Sequence, residues 1–409
     1  MKIGILTYFG VPNFGAQLQA LSTVGYLRRT GNEPVVLNWY PEDLKRMYGK
    51  RVSAAQIQAH DDFTSSELPL SAPCNSEEEL SKMVDASGFD GIIQGSDALF
   101  KYQPERLRRH FRKRMLRFVV KQPSVSVEGL QGNPFFGGYL SRLEHKVPAF
   151  VYAVSSQNCP YQLLTLRERR EMRRRLNCFD EISVRDEWTR DMVKHVMGTR
   201  RDIDIHPDPV FSFNQNCGKS IPSKEEILIR YDLPERYVLF SFWTSKLPKQ
   251  YVAQIADEVR MAGLIPVAFP MPEGLKGFGL EKQVPLPLNP IDWYALIKYS
   301  SGYIGERMHP IVVALHNAVP FFSFDEYGVG GQHSFRPESS KTYLIVNRAG
   351  FDKNYYAYLS QEEKPTAHEV AERLVAFDIQ KCQSFSDDMQ SNYEEAMGKI
   401  FSRIRKSCR

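Results

Sequence analysis

The chain has 409 residues, of which 42% are hydrophobic and 25% charged, with a formal net charge of +5. That length is too great for one hydrophobic core, so two globular domains are expected. No run of about 18 apolar residues occurs, which excludes a membrane-spanning helix, and the mild positive charge does not call for a nucleic-acid partner.

Residues 2–8 read as a buried strand rather than a secretory leader, because the apolar run is short and no small-residue cleavage site follows. The loop 9–15 leads into a helix over 16–30, where Leu18, Leu21, Val24 and Leu27 recur at helical spacing and Gly31 and Asn32 close it. Strands follow over 34–39, 91–94, 149–154, 181–184 and 203–205. They are short, rich in Ile and Val and mostly without alternation, which predicts a parallel sheet covered on both faces. The stretch 106–121 is strongly basic, with Leu107, Phe111, Met115, Phe118 and Val119 on one helical face. Its profile suits a helix lying on anionic lipid or a solvated helix packed on the core, and suits nucleic acid least. Residues 129–138 are rich in Gly and Phe and read as a surface loop.

The composition shifts over 212–236 towards Asn, Gly, Lys, Ser and Pro, and the alternation then restarts. Strands are expected over 237–242, 265–269, 302–305 and 320–324, with helices over 250–262, 291–299 and 311–317, and a helical tail over 367–404. The predicted fold class is α/β: two Rossmann-like βαβ domains facing each other across a cleft. The boundaries expected are 1–213 for the first domain, 214–236 for a linker, 237–350 for the second domain and 351–409 for a tail that packs back across the lobes. Six cysteines are scattered without a CxxC pair. That spacing predicts no metal site and no disulfide framework, and suits a reducing cytoplasm.

Ligands in such sheets collect beyond the carboxyl ends of strands, and four segments with useful chemistry fall there. Asn13 and Gln17 lie where the first loop becomes a helix; neither GxGxxG nor a P-loop is present. Their amides suit sugar hydroxyls or phosphate, or simply a tight cap. Ser96 and Asp97 follow the strand at 91–94, where Asp97 can take a proton from a hydroxyl or cap the next segment. Arg185 opens a helix, so a bound anion would offset its conflict with the helix dipole, although a surface pair with Asp186 or Glu187 is the plainer reading. Asp208, between Pro207 and Pro209, is held in a fixed turn; a purely structural role is the plainer reading, and orienting Arg185 or closing the lobe junction are the others. The tetrad Arg307-Met308-His309-Pro310 puts a planar cation and an imidazole at a helix start, a site for an anion that also needs a proton.

Taken in order, these pieces resemble the polysaccharide pyruvyl transferase family: residues 2–8 with 13–21, then Gly95-Ser96-Asp97, Ser183-Val184-Arg185-Asp186-Glu187, Asp208-Pro209-Val210-Phe211 and Arg307-Met308-His309. The resemblance implies a GT-B-like pair of lobes, phosphoenolpyruvate as donor and a pair of sugar hydroxyls as acceptor, in cell-surface polysaccharide biosynthesis. It also implies that Arg185, Arg307 and His309 hold the donor and promote transfer, with a backbone contact from Met308. The sequence departs from the family pattern at Ala98-Leu99-Phe100-Lys101 and at Pro310, so the acceptor is not carried over. His309 as imidazolium is then the expected proton donor, Asp97 the base, and Asn13, Gln17, Ser96 and Asp97 the acceptor side. No metal or cofactor is expected beyond phosphoenolpyruvate as co-substrate. The stretch 106–121 suggests a lipid-linked acceptor and peripheral contact with the inner membrane face. Two alternatives stay open on the same scaffold: a glycosyltransferase using a nucleotide sugar, and a non-catalytic anion-binding member.

Overall fold

The computed structural model describes every residue except 107–124, 199–201, 243–246, 276–279, 331–334, 360–362 and 408–409. Most of the basic stretch 106–121 therefore lies outside the described residues. The first sheet is built from β1 (Lys2–Leu6), β2 (Glu33–Val36), β3 (Gly91–Gln94), β4 (Ala149–Val154) and β5 (Glu181–Val184), in the order β2-β1-β3-β4-β5. All its pairings are parallel. Every residue of β3 and β4 is buried, as non-alternating Ile/Val strands between two helical layers should be. Residues 203–205 do not extend this sheet as a strand; Ile205 makes a single bridge to Val184.

The second sheet contains β6 (Tyr237–Ser241), β7 (Ile265–Ala268), β8 (Lys282–Gln283), β9 (Gly302–Glu306) and β10 (Phe321–Asp325). A small hairpin of β11 (Val329–Gly330) and β12 (Phe335–Arg336) stands apart, and β13 (Tyr355–Ala357) returns to the sheet. The order is β13-β10-β9-β6-β7-β8, again parallel throughout. Because β13 pairs with β10, the second sheet runs past residue 350.

Each sheet reverses its winding once. The first does so between β1 and β3, the second between β6 and β9, and ligand crevices open at such reversals. The carboxyl end of β3 carries Ser96 and Asp97, and that of β9 carries the Arg307 tetrad.

The lobes are tied together by more than a linker. Residues 214–236 include the Lys224–Arg230 helix and most of the Phe213–Cys217 helix, and Asn214 bonds to Asn317 of the second lobe. Phe14 stacks on Trp293 across the junction, with ring centroids 5.2 Å apart. The 29-residue helix Ile379–Ser407 would span about 44 Å at 1.5 Å per residue. It begins against the second lobe, where Ser386 donates to the His316 carbonyl. It ends against the first, where Tyr393 packs edge-on to Tyr26 and Tyr152 and Ile404 covers Gly91.

Residues 129–138 are not a surface loop. Phe135 and Phe136 are fully buried, Phe136 stacks on Phe100, and the Gln94 amide donates to the Phe135 carbonyl at 2.5 Å. The glycines let a short irregular segment fold inward, and its aromatic rings plug the lobe beside β3.

Candidate functional site

In the first lobe the chain leaves β3 through Gly95, where a side chain is impossible: a β-carbon would lie 1.9 Å from the Tyr152 carbonyl oxygen. Asp97 follows at φ 94°, a conformation that costs about 1–3 kcal/mol for a non-glycine residue. It is held there because its carbonyl accepts the Ser155 N–H at 2.8 Å and its Oδ1 accepts the Ala98 N–H at 2.7 Å.

Arg185 immediately follows β5 and is buried. Its Nη1 donates to Asp208 Oδ2 at 2.7 Å and reaches Ser96 Oγ at 3.4 Å, while Nη2 lies 4.0 Å from Asp97 Oδ1. The surface pair with Asp186 is not formed; Asp186 caps its own helix by accepting the Thr189 N–H. Asp208 is fixed from two further sides, by the Val210 N–H on Oδ1 and by the Gln19 amide on Oδ2. The guanidinium is thus oriented, yet its buried Nε and Nη2 have no hydrogen-bond partner among the described residues.

The second lobe contributes the Met308–His316 helix, with Arg307 as its N-cap at φ 77°. His309 turns towards the first lobe and packs on Gly15. Its Nε2 is buried without a partner among the described residues. Burial pulls its pKa down to about 4; Asp97 and Asp208 oppose that shift, while Lys341 and Arg185 reinforce it. The free protein therefore holds a neutral imidazole at neutral pH, which corrects the expectation of a resident imidazolium. The cause is desolvation of the charged form in a crowded interlobe site.

Lys341 opens the Lys341–Arg348 helix and brings Nζ to 3.9 Å from Asp97 Oδ1. Burial lowers its pKa, against the opposing pull of Asp97. Burial pushes the Asp97 carboxyl up, but Lys341, His309, Arg185 and the Ala98 N–H together outweigh it and leave the pKa below the usual value. Two carboxylates, Asp97 and Asp208, thus face two cations, Arg185 and Lys341, around a neutral imidazole.

The structure therefore gathers Ser96, Asp97, Arg185 and His309, with Met308 lining the same interlobe pocket as Arg185, Asp208 and Lys341. Arg307 has a different partner: its Nη2 donates to Glu273 at 3.1 Å. Burial disfavours its charge, but Glu273 and Tyr327 more than restore it. Arg185 is instead held by Asp208. Gln17 is a second correction. It is fully buried, and its amide is occupied by the His60 carbonyl, Thr64 Oγ1 and His60 Nδ1, so it is a core residue. Asn13 is the helix cap, accepting the Ala16 N–H at 3.3 Å. Gln19, two positions beyond Gln17, is the amide that reaches the site, touching Asp208 and Ser96.

Lys341 was not signalled by any motif. The clue open to a sequence reader is a lysine opening a helix after Ser340, against the helix dipole, the same conflict that marks Arg185.

The described residues include no helix long and apolar enough to cross a membrane. Among solved structures, the chain resembles the UDP-GlcNAc 2-epimerase of Methanocaldococcus jannaschii, with a TM-score of 0.51 and 9% identity over 96% of this chain and all (100%) of that one. It also aligns with the UDP complex of S. aureus MnaA (TM-score 0.46, 11% identity, 94% and 90% covered). A third is Phytolacca americana UGT2 complexed with UDP-2fluoro-glucose and pterostilbene (TM-score 0.45, 10% identity, 98% and 99% covered). At such identities the likeness is one of fold, and the fold is GT-B-like. No curated protein sequence matches the chain. The sequence profile described as "Polysaccharide pyruvyl transferase" matches residues 13–326, from the first helix cap to the end of β10, so the chain belongs to the polysaccharide pyruvyl transferase family.

Proposed function

We propose that this protein transfers the pyruvyl group of phosphoenolpyruvate to two hydroxyls of a sugar acceptor, forming a ketal during polysaccharide assembly. The observation that supports this most is Arg185, buried with two guanidinium nitrogens that no described residue pairs, next to a neutral imidazole. Phosphoenolpyruvate carries both a carboxylate and a phosphate, and a guanidinium is shaped for either.

Donor binding brings negative charge to His309, which raises its pKa. The imidazole takes up a proton and can deliver it to the methylene carbon, making a methyl group and leaving positive character on the neighbouring carbon. One sugar hydroxyl attacks that carbon and gives its proton to Asp97. The carbon–oxygen bond to phosphate breaks, the second hydroxyl closes the ketal, and its proton leaves with the phosphate. General acid catalysis of this kind contributes roughly 10²–10⁴-fold. Arg307, held by Glu273 in the free protein, joins the donor by exchanging that carboxylate for the donor's own. Ser96, which accepts from Arg185 and Gln19, acts in this scheme by positioning the cation. The basic stretch 106–121 is the reason to include lipid-linked sugars among the acceptors tested.

The UDP-handling structures share only the fold, and a fold does not fix chemistry. The deciding experiment incubates the protein with phosphoenolpyruvate and a panel of free, nucleotide-linked and lipid-linked sugars. Release of inorganic phosphate together with a new ketal methyl signal in the NMR spectrum supports the reading. Release of UDP from a UDP-sugar, with phosphoenolpyruvate untouched, overturns it.

A further inference from the structure

Asp97 is approached by one cation from each lobe. Arg185 Nη2 lies 4.0 Å from its Oδ1, and Lys341 Nζ lies 3.9 Å from the same oxygen. Both separations exceed a hydrogen bond. Oδ1 already accepts the Ala98 N–H at 2.7 Å, so neither cation is tightly docked on this carboxylate.

The two cations differ in how they are otherwise held. Arg185 is anchored through Nη1 by Asp208. Lys341 makes no hydrogen bond through its ammonium to any described residue; the 3.9 Å contact is its ion pair. An ammonium carries three donors, and with the side chain 21% exposed these are left to solvent rather than to the protein. Its backbone is nevertheless firmly placed. Ser340 caps the helix by accepting the Thr342 N–H at 3.2 Å and donates its hydroxyl to Asp325. Asp325, at the end of β10, also accepts from Tyr355 at 2.8 Å. Lys341 is therefore fixed at its base and uncommitted at its tip, and the residue lines the same interlobe pocket as Arg185, Asp208 and Met308.

We infer that Lys341 is the second-lobe cation that meets the donor's phosphate opposite Arg185. The assignment rests on the pyruvyl-transfer reading and deepens it. Arg307 is paired with Glu273, whereas Lys341 needs to displace no partner closer than 3.9 Å. A point charge on a flexible stem also suits a phosphate that changes position as it leaves.

The test compares wild type, Lys341→Gln and Lys341→Arg by calorimetric titration with phosphoenolpyruvate, and by steady-state kinetics with a competent acceptor. Circular dichroism and thermal melts establish that each variant folds. Loss of a charge-assisted hydrogen bond weakens binding by about tenfold or more. The expected result is a rise of that size in the donor's Kd and KM for the Gln variant, recovered in large part by Arg, with the acceptor KM unchanged. Wild-type donor affinity in a folded Gln variant overturns the Lys341 assignment and leaves the pyruvyl-transfer reading standing. Should the Gln variant not fold, the Arg variant decides: near wild-type donor affinity supports a cation contact, and loss equal to that of a misfolded chain overturns it. A wild-type protein that neither binds nor consumes phosphoenolpyruvate overturns both.

Discussion

The imidazole of His309, from the second lobe, lies directly on the backbone of Gly15, from the first: a β-carbon on Gly15 would sit 2.0 Å from His309 Cγ and 2.2 Å from Nδ1. Gly15 is inside a helix and needs no special backbone angle, so what excludes a side chain there is the ring. The two lobes thus locate the candidate acid by contact. Gly15→Ala must push the ring away, and overpacking of this kind costs about 1–3 kcal/mol. A displacement near 1 Å can cost up to about 10²-fold in rate. We expect a folded, modestly destabilised variant whose kcat falls by one to two orders of magnitude. A kcat equal to wild type would show that this contact does not position the ring.

Three buried histidines make stability depend on pH in a defined direction. Burial pulls His309 down to about 4, and His60 and His316 down to about 3. In the unfolded chain each titrates near about 6.5. Between those values the unfolded state binds more protons, so the stabilisation is complete above about pH 6.5 and is lost as pH falls towards the folded values. With three such groups the slope approaches about 4 kcal/mol per pH unit at its steepest. Urea melts at pH 7, 6 and 5 should show the decline, and His309→Gln should reduce it. A flat stability across that range would contradict the burial of these rings.

Donor binding should carry a proton with it. His309 is neutral in the free protein at neutral pH, and the mechanism needs it charged. Calorimetric titration near pH 7 in two buffers of different ionisation enthalpy should report uptake approaching one proton per phosphoenolpyruvate bound. His309→Gln should abolish that uptake. A buffer-independent heat in wild type would remove His309 as the acid.

Much of this arrangement was legible in the sequence because strand ends are legible. Short Ile/Val runs without alternation marked β1, β3, β4 and β5, and the residues just beyond two of them, Asp97 and Arg185, do meet. Three things were hidden. The fixed turn at Asp208 marked it as a residue that could orient Arg185, and the two do pair, but the partner of a cation is a matter of tertiary contact and nothing local revealed that Arg307 would turn to Glu273. The charge state of His309 depends on burial between lobes, which a one-dimensional reading cannot see. Lys341 lies far along the chain from its neighbours at the site, and only the second sheet's winding returns it there.

Asp208 is the residue on which the placement of Arg185 depends. The side chains are 2% and 6% exposed, so the pair is dry. Asp208→Asn keeps the shape and the acceptor for Val210 but leaves a buried guanidinium without its closest countercharge. Breaking a buried pair typically costs about 3–5 kcal/mol. Added phosphate should raise the melting temperature of this variant by more than it raises that of wild type, since an anion then supplies the missing charge. An equal shift in both would place the phosphate away from Arg185.

Gln17 and Gln19 offer the sharpest separation of fold from function. Two residues along a helix is a turn of about 200°, so the two amides face opposite ways. Gln17 satisfies the His60 carbonyl at 3.0 Å, Thr64 Oγ1 at 2.8 Å and the His60 ring. Gln17→Leu strands those groups in the core, at about 1–3 kcal/mol for each one left unpaired. We expect a lower melting temperature with kcat/KM per folded molecule unchanged. Gln19 instead braces Asp208 and Ser96, both of which hold Arg185 Nη1. Gln19→Leu should lower kcat/KM by about tenfold with the donor KM rising, while the fold persists. Gln19→Glu should be worse, because it puts a second carboxylate against Asp208 and the like charges repel. If Gln17→Leu proves the catalytic lesion and Gln19→Leu the structural one, the first helix is rotated relative to the site and the cluster around Arg185 must be redrawn.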